Sequence, residues 1–147
     1  MEIYARPANA FVARFVGSPA MTLAPARIVA GGDPGTRVRL GCGAEVATGI
    51  ARSGLPEGTA VEIGMRPEHV TLAAPGPDTI DAQAVLVERL GDRTLIYARL
   101  ADGLEITAQD AGTSPVRMGD RVALRINGAA AHLFGPDGTA RHPEHAA

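Results

Sequence analysis

The chain has 147 residues, 46% of them hydrophobic, but 27 are Ala, so large side chains able to fill a core are few and one domain or two small lobes is the natural partition. All 14 basic residues are Arg, which leaves no Walker A, Schiff-base or general-base lysine, and a net charge of -2 with no Trp removes both the cationic field and the stacking platform of a nucleic-acid binder. Cys42 is the single cysteine, so an internal disulfide and a multi-cysteine zinc site are excluded.

In chain order, Pro7 opens a first helical turn, and Phe11, Val12, Phe15 and Val16 recur at helical spacing before Gly17-Ser18-Pro19, which predicts a short helix over Pro7 to Val16 with an apolar stripe seeking a surface. Beyond Pro19 the period becomes two. Val38 and Leu40 alternate with Arg37 and Arg39, Val61 and Ile63 with Ala60 and Glu62, and Val122, Leu124 and Ile126 with Arg121, Ala123 and Arg125. Further strands are predicted over Thr22 to Val29, Ala44 to Ile50, Ala82 to Leu90, Thr94 to Leu100, Leu104 to Gln109 and Ala130 to Phe134, each bounded by Gly, Asp or Pro. Gly91-Asp92 suits a tight hairpin, because Gly accepts the positive φ such a turn demands. Nine or ten short strands without a strong helix among them predict an all-β fold of compact β-barrels or a sandwich.

Pro75 and Pro77 alternate with Gly76 and Asp78, placing a break that divides the β-rich region into lobes of about 22–73 and 79–140. Residues 141–147 lack an apolar anchor and read as a flexible tail. His142 and His145 stand three apart there, but a Pro-interrupted terminus without a third rigid ligand reads as solvated, and no metal site is assigned. Gly41-Cys42-Gly43 reads as a strand-joining turn. No serine or cysteine has a nucleophile's setting and no acid/base pair emerges, so no catalytic and no cofactor-binding residue is nominated. The sharper feature is Gly64-Met65-Arg66-Pro67-Glu68-His69: Pro67 forces Arg66 into an extended bend, leaving a structural corner or, in a desolvated interface, a donor beside an acceptor.

The order Glu2-Ile3-Tyr4, Arg6-Pro7-Ala8-Asn9, Phe11-Val12-Ala13 and Phe15-Val16-Gly17-Ser18-Pro19 resembles the junction after the nucleotide-binding domain in ATPase subunits of sugar-importing ABC transporters, of the maltose and glycerol-3-phosphate importer type. Met65-Arg66-Pro67-Glu68-His69 is similar to that family's G-I-R-P-E-H corner, with Met65 for the usual Ile. Val87-Glu88-Arg89-Leu90-Gly91, Gly119-Asp120-Arg121-Val122, His132-Leu133-Phe134 and Asp137-Gly138-Thr139 resemble its later landmarks.

The resemblance implies a linker-helix remnant over 1–21 followed by a transport-associated OB-type (TOBE) regulatory domain over 22–140, a pair of small OB-like β-barrels that helps two ATPase subunits stay together. The catalytic motifs of such subunits, with their ATP and Mg2+, would lie in an absent upstream domain, so no cofactor is expected in this segment. The implied partners are a second copy, the nucleotide-binding domain, through it the membrane permease subunits, and a regulator of the enzyme IIA type; nucleic acid is not among them. The implied location is cytoplasmic, peripheral to the inner face of the inner membrane. Arg66, Pro67, Glu68, Glu88, Gly91 and Asp92 are the expected interface and regulatory residues. The rival expectation is a barrel binding an oxyanion or another small ligand, of the molybdate-binding kind. Its donors would be Arg37 with Arg39 or Arg121 with Arg125, although no S-x-R-N segment is present.

Overall fold

The computed structural model describes residues 20–31, 35–52, 55–136 and 140–142. They are all-β apart from two 3-10 turns, Pro67–His69 and Gly128–Ala130; the helix expected over Pro7 to Val16 lies outside the described residues. The chain divides into two units, Met1–Met65 with Asn127–Ala147, and Arg66–Ile126. The partition therefore falls at the Arg66-Pro67 corner and again after Ile126. The Pro75-to-Asp78 stretch, expected to separate two lobes, is instead a loop inside the second unit, and the first unit is discontinuous because its sheet recruits the chain after Asn127.

The first unit holds β1 (Thr22–Val29), β2 (Gly35–Leu40), β3 (Glu45–Ala51), β4 (Ala60–Met65), β10 (His132–Phe134) and β11 (Ala140–Arg141) in the order β11-β10-β4-β1-β2-β3, every pair antiparallel. Alternation decides which side chains face inward. Val46, Thr48 and Ile50 of β3 are buried while Glu45, Ala47, Gly49 and Ala51 are exposed, and Ala24, Ala26 and Ile28 of β1 join the same core. Register on β2–β3 shifts between Gly35 and Arg37, and buried hydroxyls bridge the irregularity: Thr48 Oγ1 donates to the Thr36 carbonyl at 2.7 Å and Thr36 Oγ1 to the Ile50 carbonyl at 2.9 Å. Turn Gly128–Ala130 seats against β3, at one edge of the sheet.

A second apolar cluster forms where Met21 and Phe134 bury each other beside Leu23 and Ala140. Gly64 makes it possible, since a Cβ there would lie 2.4 Å from Met21 Sδ and 2.9 Å from Phe134 Cε2. Arg141, expected to begin a tail, pairs with Leu133 in β11; residues 143–147 lie outside the described residues.

The second unit holds β5 (Val70–Ala73), β6 (Ile80–Arg89), β7 (Arg93–Arg99), β8 (Glu105–Ala111) and β9 (Arg121–Ile126) in the order β5-β9-β6-β7-β8, again antiparallel throughout. The sheet curls until its outer strands β5 and β8 meet. Its buried apolar residues are Val70, Ala82, Ala84, Leu95, Ile96, Ala98, Leu100, Ile106, Ala108, Val116, Ala123 and Leu124. Five of those twelve are Ala, and small inward side chains let strands close over a narrow interior.

Candidate functional site

β4 stops at Met65 because Pro67 has no N–H for the ladder and holds Arg66 extended, at φ -77° and ψ 147°. The 3-10 turn closes with the His69 N–H donating to the Arg66 carbonyl at 2.9 Å, and it packs on β8. Arg66 is 3% exposed and Pro67 is buried, so these two expected interface residues build the corner and do not reach out from it. Glu68 alone of the three projects into solvent.

Glu88, Gly91 and Asp92 sit together on the β6–β7 hairpin, on different elements of the same unit. The Leu90 N–H donates to the Arg93 carbonyl at 2.9 Å across the turn, and Gly91 takes φ +92°, as the hairpin expected from the sequence requires. Asp92 is exposed. Glu88 is exposed too, and accepts a hydrogen bond from the Tyr97 hydroxyl. Partial burial first, then that hydrogen bond and the Glu88 charge, push the Tyr97 phenol up to about 12. Arg89 spreads its fork to the Ser114 carbonyl at 2.6 Å and the Val116 carbonyl at 2.7 Å, fixing the loop after β8. The Ala84 N–H donates to the Asp120 carbonyl and the Gly119 N–H to the Ala84 carbonyl, holding the far end of that loop to β6.

Three exposed large apolar side chains belong to the hairpin and this loop: Leu86 at 49%, Leu90 at 46% and Met118 at 70%. Sequence reasoning missed them. Strict alternation from Ala82 and Ala84 would turn Leu86 inward, but the β6–β7 register shifts between Ala84 and Leu86, and the extra residue turns Leu86 to solvent.

Three of the four arginines offered for an oxyanion are engaged by carboxylates. Arg39 donates to Glu45 from Nε at 3.2 Å and Nη2 at 2.7 Å, and Arg37 Nη1 lies 3.7 Å from the same carboxylate. Arg125 Nε lies 3.6 Å from Asp78. Arg121 does line a cleft of about 370 Å³, but Asp81 lines it too. Among the described residues no group of three or more His, Cys, Asp or Glu is gathered for a metal, and no helix is long and apolar enough to cross a membrane.

Two family models match the chain in series, the MalK OB fold domain over residues 17–70 and the TOBE domain over 63–134. Their overlap contains the Met65-to-His69 corner. The sn-glycerol-3-phosphate import ATP-binding protein UgpC of Cereibacter sphaeroides is 40% identical over 133 residues, covering 90% of this chain and 35% of that protein. The alpha-glucoside transport ATP-binding protein AglK of Rhizobium meliloti is 37% identical over 139 residues, 94% of this chain and 38% of AglK. The maltose/maltodextrin import ATP-binding protein MalK of Vibrio vulnificus is 33% identical over 141 residues, 95% of this chain and 38% of MalK. The chain thus spans little more than a third of the length of these relatives. Among solved structures, the cytoplasmic molybdate-binding protein ModG superposes with a TM-score of 0.67 over 78% of this chain and 95% of that one, at 17% identity, which is a likeness of fold alone. With Arg37 and Arg39 tied to Glu45, Arg125 tied to Asp78, and the relatives above named as transport or import ATP-binding proteins, the molybdate-type alternative is not favoured. The chain thus consists largely of a MalK OB fold domain followed by a TOBE domain, and it is similar to the corresponding part of ATP-binding proteins named for the transport of sugars and glycerol-3-phosphate.

Proposed function

We propose that this chain is a noncatalytic coupling element that joins two copies of an import ATPase subunit while their nucleotide-binding domains open and close at the cytoplasmic face of the inner membrane. The observation that carries this reading is the pair of consecutive family matches over 17–134, together with relatives named as import ATP-binding proteins. The absence of any lysine accords with ATP and Mg2+ being handled by a separate nucleotide-binding domain, which in turn meets the permease. The imported solute is then a carbohydrate or a glycerol phosphate. Tethering two motors through a shared accessory keeps their local concentration high and biases the resting arrangement.

Within the second unit the contact surface for the second copy is the β6–β7 hairpin. Leu86, Leu90 and Met118 supply apolar area, and Glu88 and Asp92 supply a charged margin that sets register. Glu68, exposed at the corner, is a further acidic side chain that a regulator of the enzyme IIA type would meet. Light scattering and sedimentation test the reading: a dimer mass is expected, weakened at least tenfold by Leu86→Asp with Met118→Asp. A strict monomer at several hundred micromolar, or ATP hydrolysis by this chain alone, overturns it.

A further inference from the structure

The two units repeat one module. β1 to β4 and β6 to β9 run in the same order across their sheets, β4-β1-β2-β3 and β9-β6-β7-β8, and in the same registers: Ala26 faces Val61 as Ala82 faces Val122, and Arg39 faces Glu45 as Arg99 faces Glu105. Both Arg–Glu pairs close, at 2.7 and 2.9 Å, beside hairpin turns whose glycines, Gly43 and Gly103, take φ +95° and +92°. The likeness continues past the fourth strand. β4 and β9 each lead into a 3-10 turn closed by an N–H three residues on, His69 to the Arg66 carbonyl at 2.9 Å and Ala130 to the Asn127 carbonyl at 3.1 Å. Each turn packs on a third strand, β8 or β3, and passes into a fifth: β5 sets Leu72 opposite Leu124, and β10 sets Leu133 opposite Ile63. In neither case does that strand complete the module it leaves. β5 follows β4 but pairs with β9, and β10 follows β9 but pairs with β4.

We propose that two copies of this chain form a dimer by trading halves, the part through β5 of one copy assembling with the part from β6 onward of the other. The partner fits because it carries the same two acceptor margins, β4 and β9, and the same two arms, so every strand pairing is remade and only the β5–β6 connection changes. That connection is suited to open. Residues 74–78 are exposed, and Pro75 and Pro77 bias the residues before them toward extended backbone. Thr79 folds the loop back: its Oγ1 accepts from the Gly76 N–H at 2.9 Å and donates to the Gly76 carbonyl at 3.0 Å, and its own N–H reaches that carbonyl at 3.3 Å. With the pairings conserved, loop closure and concentration set the balance. A short linker holds its ends at an effective concentration on the order of millimolar, so the closed chain prevails at micromolar and the traded dimer forms when chains fold together near millimolar. This dimer requires neither the importer reading nor the β6–β7 hairpin contact.

The test uses the full chain carrying Leu86→Asp and Met118→Asp, which removes the hairpin contact, and Cys42→Ser. Thr71 and Arg125 are exposed and directly opposite across β5 and β9, so Thr71→Cys with Arg125→Cys on one chain closes an internal disulfide. The two substitutions are then placed on separate chains, which are unfolded together in urea and refolded at about one millimolar. A heterodimer linked through the two introduced thiols is expected, identified by mass spectrometry of the joined peptides. Its yield should be at least fivefold above that from chains refolded apart and then mixed, and at least threefold higher again with Thr79→Ala. No linked heterodimer, or equal yields from the two procedures, overturns the proposal. So does light scattering that finds only monomer after the thiol-free chain is refolded at the same concentration, whether or not the internal bond closes. A yield unmoved by Thr79→Ala overturns the assignment of the loop as the hinge.

Discussion

Gly128→Ala is expected to destabilise the protein even though the backbone there would accept an alanine. Gly128 is not among the glycines at positive φ, so Ala would ordinarily stabilise by about 0.4–1 kcal/mol through the unfolded chain. Against that, a Cβ at this position would lie 2.0 Å from the Ala47 carbonyl oxygen, 3.0 Å from its carbon and 3.0 Å from Val46 Cγ1. Non-bonded heavy atoms settle at about 3.5 Å, so relief requires moving main chain by more than an ångström, because the closest contact is the Ala47 carbonyl, which cannot rotate away as the Val46 side chain can. Overpacking of this kind costs about 1–3 kcal/mol, which outweighs the entropic gain and leaves a net loss of about 1–2 kcal/mol. The turn is also what sits on β3 at the edge of its sheet, so a displaced turn uncovers that strand. Urea unfolding followed by far-ultraviolet circular dichroism reads the effect; with an m-value of about 2 kcal/mol/M the midpoint should fall by roughly 0.5–1 M. A midpoint at or above that of the wild type would refute the seating of Gly128 on Ala47.

Thr48→Val should cost about 1–3 kcal/mol despite its equal size, because it removes the donor to the Thr36 carbonyl at the register shift and the acceptor of the Ile50 N–H in a buried site; hydrogen exchange should rise first at Ile50, and unchanged stability would show that the hydroxyl is dispensable. At alkaline pH the Tyr97 phenol, near 12 when folded against an ordinary value of about 10, makes the unfolded chain lose its proton first. Stability is therefore intact below pH 10 and declines as pH rises from about 10 through 12. Tyrosinate absorbance should show a titration near 12 that moves downward in Glu88→Gln, and a Tyr97 midpoint unmoved by that change would dismiss the role of Glu88.

Much of the fold was legible because period-two burial is a strong signal wherever one face is wet. The bounds expected for β1 (Thr22–Val29) and β9 (Arg121–Ile126) match residue for residue, and the Gly91 turn lies where expected. β5 was missed because Val70-Thr71-Leu72-Ala73 is only four residues long and follows a proline corner; its identity comes from pairing with β9, fifty residues away. β11 was missed for the same reason, two residues being too few to show a period. The partition was misplaced because Pro and Gly mark turns, whether or not a turn separates cores. At the site, chain chemistry announced the Arg66-Pro67 bend but not that Arg66 would be buried, and it located the hairpin but not the bulge that turns Leu86 outward.

The discontinuity of the first unit bears on biosynthesis. While a ribosome is still working toward Asn127, β4 lacks β10, so Ile63 and its neighbours line an open strand margin until the final stretch emerges. The intervening Arg66–Ile126 segment has all five of its strands by then and can mature first. The nascent polypeptide is therefore most vulnerable to intermolecular sticking in the interval between synthesis of Met65 and of Phe134, and a chaperone that shields β4 would be needed longest there.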